Sequence, residues 1–527
     1  MENAELYSHR PVGDGCFRIF ILQPGGCDMP VFCRMTTNKE YPGSYDTISW
    51  AWKYPIEEVL VYIDDLPFYV PRELYSAINA LRSPVSECAF WADAICIDMS
   101  NLQERFNTIK LFRHIFMKSS RVCVWLGDED STSRRGMHFV RRCSSVNDLD
   151  GVIRGDRYED SWNAVLSLMH RPWFSRTWVI QEIAVARKVT IFCGSNSVTW
   201  NEFEACISLL KMRSLLYPET YHIESLSACQ LVNIIRNVFD RNDQDEIIVP
   251  RLSLQTLVTR LSSFQATDDR DRIFSLIGIA CDTGVWSGDA HQDIIVSYEK
   301  SFAEVCDEFF LFCVGNSGSL DLLFQPWAPK ERRNDIHAWI CTTDMTPFGL
   351  YSGIPQPVRL NADSFVGLSG DPKLYNASGD IKAAEVRITT IDGSRILLCP
   401  GQRVDIIGET TAAAVSGIIP AEWFTLGMGS DTDIPEDFWR TLIADRDIQG
   451  HRPQHHLQRY LEQALLQDRG KDIYVDQMLK ENPFSVVAPT LSRVQAVTYN
   501  RQLIRTENRS LLGLVPAVAE RGDCAYC

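Results

Sequence analysis

Three consecutive stretches decide the fold class: Ala89-Phe-Trp-Ala-Asp-Ala-Ile-Cys-Ile97, Leu102 to Lys118, and Arg121-Val-Cys-Val-Trp-Leu126. The first and last are short apolar runs of strand composition, and the middle one places Leu102, Phe106, Ile109 and Phe116 at helical spacing. Strand, helix, strand in that order implies a right-handed parallel crossover. Outward from it the alternation continues. Tyr45 to Trp50 reads as a buried strand, Val59 to Val70 as a hairpin about Asp64-Asp65, and Pro71 opens a helix with Leu74, Ile78 and Leu81 on one face. Downstream, Ser161 to Arg187 reads as two helices parted by Arg171-Pro-Trp173, and Val189 to Cys193 as a further strand. Residues 41–205 are thus expected to form a parallel-sheet α/β core.

Residues 206–330 read as a mostly helical extension, with helices at Leu252 to Leu261, Asp271 to Ile279 and Tyr298 to Val314. Residues 331–527 read as an α+β region: a hairpin about Asp392-Gly393, helices between Glu436 and Glu481, and a β pair from Arg501 to Val515. No repeat or low-complexity linker intervenes, so these parts are expected to pack on the core.

The chain of 527 residues is 45% apolar and 23% charged, a globular composition, and its net charge of −16 opposes binding to phosphate backbones or anionic lipid surfaces. No nucleic-acid partner is expected. Seventeen scattered cysteines fit a reducing cytoplasmic setting better than a secreted disulfide scaffold. Met1 to Gly15 lacks the basic and apolar regions of a signal peptide, and no uninterrupted 18-residue apolar window exists to span a membrane. Cys524-Ala-Tyr-Cys527 formally matches a prenylation box and a C-x-x-C pair, but suits neither chemistry well.

Signatures of P-loop nucleotidases, Rossmann dehydrogenases, α/β-hydrolases and zincins are missing, and the histidines at 451, 455 and 456 have no further ligand at metal spacing. No metal site is expected. What remains is Trp, Asp and Glu concentrated at the ends of the expected parallel strands, where open α/β sheets bind ligands. The four pieces are Ser49-Trp-Ala-Trp52, Trp91 to Asp98, Trp125-Leu-Gly-Asp128 and Arg171 to Glu182. Trp178 and Glu182 are four apart, which on a helix sets a carboxylate one turn from an indole. The structural alternative is a core Trp with Glu182 bonded to an arginine such as Arg176. Strand alternation would send Trp91, Asp93, Ile95 and Ile97 to one face, and Asp93 then needs a partner: an arginine, backbone donors or a ligand hydroxyl. Asp98 is either at a strand exit or the N-cap of the next helix.

These four pieces, in this order, resemble the heterokaryon-incompatibility (HET) domain of filamentous fungi. Tyr45-Asp-Thr-Ile-Ser-Trp-Ala-Trp52, Trp91 to Asp98 with Glu104-Arg105, and Val122 to Gly127 are similar to successive family segments. Arg171-Pro-Trp-Phe-Ser-Arg-Thr-Trp-Val-Ile-Gln-Glu182 agrees with the family pattern at every specified position, and Thr267 to Gly278 resembles a segment found after many HET domains. Lys53, where the family usually has Gly, and Asp98-Met99, where it has Asn-Gln, depart from the pattern. HET domains are in turn distantly similar to TIR domains, whose first strand resembles Tyr45 to Trp50 and whose catalytic helix resembles Trp178-x-x-x-Glu182.

The resemblance implies a TIR-like core and a role in programmed cell death after non-self recognition, with self-association or another incompatibility protein as partner. It also implies NAD as a substrate rather than a resident cofactor, with Glu182 required for cleaving the nicotinamide–ribose bond. Ser49, Trp52, Asp93, Arg176 and Trp178 are the accompanying candidates for substrate binding. Two readings from other classes stay open: a non-catalytic signalling module, in which Glu182 and Asp93 only hold the fold, and an accessory protein of a biosynthetic cluster.

Overall fold

The computed structural model describes residues 5–526 apart from isolated positions and short stretches, the longest at 288–293 and between 344 and 374. Lys53 and Cys527 lie outside the described residues. The chain divides into two compact units, Met1–Ser301 and Phe302–Cys527.

The first unit is built on nine strands: β1 (Arg18–Leu22), β2 (Phe32–Thr37), β3 (Asp46–Ser49), β4 (Glu58–Ile63), β5 (Leu66–Pro71), β6 (Cys88–Trp91), β7 (Val122–Trp125), β8 (Val189–Cys193) and β9 (Asn196–Thr199). They form one sheet in the order β5-β4-β2-β1-β6-β3-β7-β8-β9. Its centre is parallel, with Thr47 opposite both Trp91 and Val122, and Val124 opposite Ile191. Within this block β6, β3, β7 and β8 run second, first, third, fourth in chain order, so the winding reverses between β3 and β7. The crevice outside the carboxyl ends of those two strands is where such sheets seat ligands. All four residues of β7 and all five of β1 are buried, as expected for strands covered on both faces.

The helices are α1 (Arg72–Leu81), α2 (Asp93–Cys96), α3 (Leu102–Lys118), α4 (Ser131–Cys143), α5 (Leu149–Arg154), α6 (Glu159–Met169), α7 (Trp178–Ala184), α8 (Trp200–Leu216), α9 (Ser227–Asn237), α10 (Leu254–Arg260) and α11 (Asp271–Ile277). Asp64 and Asp65 both take positive φ, 49° and 66°, at the β4–β5 turn, as its hairpin chemistry requires.

Several sequence expectations need correction. Ala89 to Ile97 is not one strand, because β6 ends at Trp91 and Asp93–Cys96 forms a helical turn. Asp93 drives the turn: its Oδ1 accepts the Ala94 N–H and the Trp50 indole N–H, both at 2.8 Å. The expected alternation is therefore lost, and Ala94, Ile95 and Cys96 are all buried. In α3 the buried face is Glu104, Thr108, Phe112, Ile115 and Phe116, whereas Leu102 is 72% exposed. The face is turned by Arg18 of β1, which pairs with Glu104 inside the protein. Asn101 caps α3 by accepting the Glu104 N–H, while Asp98 folds onto Ser100 instead. The strands β1 and β2 lie outside the elements expected from the sequence, and β1 joins β2 to β6. The expected helix from Tyr298 begins only at Phe302, because the Arg270 guanidinium draws in the Tyr298 and Lys300 carbonyls at 2.7 and 2.6 Å.

In the second unit the helix Phe302–Ser317 precedes the hairpin Arg387–Ile391/Ser394–Leu398, which turns on Asp392 and Gly393 with positive φ. A four-stranded sheet follows, ordered Leu512–Pro516, Arg501–Thr506, Arg403–Thr410, Cys524–Tyr526. Helices between Ala421 and Thr498 enclose a core that includes Trp423, Phe438, Trp439, Leu461 and Leu491. The described cysteines are all free thiols. Among the described residues no helix is long and apolar enough to cross a membrane.

Candidate functional site

Glu182 lies on α7, and two contacts set that helix against the end of β3. Just before it, the turn Pro172–Ser175 carries Trp173, whose indole N–H donates to Ser49 Oγ at 2.7 Å. The Arg176 guanidinium donates to the Trp50 carbonyl. Thr177, the N-cap of α7, is held in turn by the Gln265 carbonyl through its N–H at 3.0 Å and its hydroxyl at 2.9 Å. The segment after Gln265 leads into α11, so the second matching stretch of sequence buttresses the first.

The Glu182 side chain is only 3% exposed, and among the described residues its Oε2 has no hydrogen-bond partner. Burial pushes its carboxyl up to about 7; the Arg176 charge and a Ser49 hydrogen bond oppose the rise, and Asp93 adds to it. Among the described residues neither Arg176 nor Arg171 forms an ion pair with it. Arg171 instead pairs with Asp130 at 3.1 Å and donates to the Leu126 and Asp128 carbonyls at the end of β7. The carboxylate is thus enclosed, with the Arg176 charge near it but, among the described residues, no direct ion pair to an arginine.

The other candidates fall into two groups. Ser49, Arg176 and Asp93 gather on Glu182. Trp52 lies against Trp50 with ring centroids 4.5 Å apart, and Trp50 passes its N–H to Asp93. Trp178 is directed elsewhere: it packs on Phe112 of α3 at 4.9 Å and sits beside Asp271 of α11. Burial pushes the Asp271 carboxyl up to about 6, against the Tyr298 hydroxyl and Trp178 indole that bond to it. Trp173, Trp50 and Asp271 are the residues that sequence reasoning left without a role. Trp173 stood inside the quoted motif, but no spacing rule sets it against a serine 124 positions away. Among the described residues no three His, Cys, Asp or Glu side chains form a metal-binding group.

Residues 45–182, from the strand β3 to the carboxylate itself, match the family model described as heterokaryon incompatibility protein (HET). Residues 45–182 carry a HET domain. Heterokaryon incompatibility protein 6, OR allele, of Neurospora crassa is 23% identical to the chain over 323 residues, which are 50% of this chain and 47% of that protein. The chain therefore spans about half the length of the curated relative it matches. No solved structure matches it. In this HET domain the matched region begins with the strand that ends at Ser49 and finishes at Glu182, so both ends of the family match converge on one buried site.

Proposed function

We propose that this HET-domain protein acts in fungal incompatibility and that its core cleaves the nicotinamide–ribose bond of NAD in a TIR-like manner, with Glu182 as the essential carboxylate. The observation that carries this reading is the buried, half-unpartnered carboxylate. A glutamine would fill the same space without the cost of desolvating a charge, and carboxyls kept in such settings concentrate at functional sites. Its place beside Ser49, at the carboxyl end of a central parallel strand, supports the same reading.

The chemistry asks for one carboxylate. Nicotinamide departs from NAD as a neutral base and needs no general acid, unlike the alcohol of an ordinary glycoside. The ionised Glu182 offsets the positive charge that develops on the ribose carbon, and exclusion of water strengthens the effect. Arg176 and Ser49 favour that ionised form at neutral pH. Because the carboxylate is enclosed, substrate access requires a rearrangement around it, and self-association or an incompatibility partner would supply the trigger.

The same 3% exposure favours a second reading, a non-catalytic signalling module in which Glu182 is structural. Incubation of purified protein with NAD, wild type beside Glu182→Gln, separates the two. Nicotinamide release by the wild type alone is expected. No release at high protein concentration, with and without induced oligomerisation, leaves the signalling module.

A further inference from the structure

A groove of about 670 Å³ opens in the first unit between α3, α11 and the segment Ile294–Val296. That volume suits a small molecule. One rim is the α3 face bearing Lys110, Arg113 and His114. The lining also includes the apolar Phe274, Ile277 and Ile294, and the Gln181 amide lies beside Gly278. Among the described residues no aspartate or glutamate lines the groove.

Among the described residues neither Lys110 nor Arg113 is within ion-pair distance of a carboxylate. Arg113 lies on the Trp286 ring, 3.7 Å from its centroid, and reaches the Val285 carbonyl at 3.5 Å. Burial lowers the Arg113 pKa, and His114 is lowered by burial and then by Lys118 and Arg113. Among the described residues, a local excess of positive charge in a chain of net charge −16 thus stands uncompensated beside apolar lining residues. Gly278 helps to keep the amide in place, because a Cβ there would collide with Gln181 Nε2.

We infer that this groove binds a small organic phosphate with an apolar ester group, the phosphate on Lys110 and Arg113 and the apolar part on Phe274 and Ile277. Two cationic groups, Lys110 and Arg113, favour a phosphate dianion over a carboxylate, and the apolar residues favour a hydrocarbon over a sugar. The site is separate from the Glu182 carboxylate and stands whether or not NAD is cleaved.

Calorimetric titration of the full chain with hexyl phosphate tests it, with inorganic phosphate, 1-hexanol and AMP as parallel arms. Saturable 1:1 binding of hexyl phosphate is expected, with each other ligand at least about tenfold weaker. Lys110→Gln combined with Arg113→Gln is expected to weaken binding roughly tenfold or more, the loss of a charge-assisted bond. Should the double variant melt at a lower temperature than the wild type, the exposed Lys110→Glu alone is used, and severalfold weakening is expected. No binding of hexyl phosphate, equal binding of hexanol, tighter binding of AMP, or affinity indifferent to these substitutions overturns the proposal.

Discussion

Trp173 donates its indole N–H to Ser49 Oγ at 2.7 Å, and both residues are buried to 1% exposure. This contact ties the carboxyl end of β3 to the turn that launches α7, and so sets where Glu182 stands. Trp173→Phe, which keeps a ring and removes the donor, is expected to cost about 1–2 kcal/mol, as is Ser49→Ala, which orphans the indole. The double variant should cost clearly less than the sum in equilibrium unfolding followed by circular dichroism. Strict additivity shows that the two groups are not coupled.

The Glu182 carboxyl has a folded pKa of about 7 against an ordinary 4.5. A raised acid stabilises the fold fully below the unfolded value, and that contribution is lost as pH climbs through the folded one. Over that window the loss amounts to roughly 3 kcal/mol. Glu182→Gln has no such titration, so its stability relative to wild type should rise between pH 5 and pH 8. Melting temperatures across that range check this; a constant difference means that the carboxyl is ionised throughout.

Arg18 and Glu104 form a buried pair, and Glu104 Oε1 also accepts the Asp98 N–H at 2.8 Å. Arg18→Met leaves that carboxylate without its cation and is expected to cost about 3–5 kcal/mol. Adding Glu104→Gln, which still accepts the Asp98 N–H, should restore much of the loss. Urea midpoints of the three variants decide whether the damage comes from the stranded charge or from lost packing.

Gly136 sits in α4 where it crosses α6. Helix propensity favours alanine there by about 1 kcal/mol. A Cβ, however, would come within 2.6 Å of Leu168 Cδ1 and 2.9 Å of the Ala164 carbonyl oxygen, and the latter is backbone that cannot yield. Gly136→Ala should therefore destabilise by about 1–3 kcal/mol. A higher melting temperature would instead mean that the helices can move apart.

The elements that the sequence made legible are those set by neighbours in the chain. Period and turn chemistry located the β4–β5 hairpin with its two left-handed aspartates, the span of α3 and the two helices around Arg171-Pro-Trp173. Misreadings arose where a distant partner overrode the local pattern. Asp93 turned a run of strand composition into a helical turn by accepting the Ala94 N–H and the Trp50 indole N–H. Arg18, on a strand outside the elements expected from the sequence, rotated the buried face of α3 away from Leu102.

For the candidate site the division is similar. The motif from Arg171 to Glu182 marked the carboxylate and Arg176, and the pieces Ser49 to Trp52 and Trp91 to Asp98 marked Ser49 and Asp93, because each lies in a stretch that resembles the HET family. They could not show that Trp178 turns to Phe112 and Asp271, or that Trp173 anchors Ser49. Still less could they show that Glu182 is enclosed with one oxygen unpaired. The sequence by itself determined which chemical groups are present and which local elements carry them. Only the tertiary structure decided their charge state and partners, because desolvation and hydrogen bonding depend on residues more than a hundred positions away in the chain.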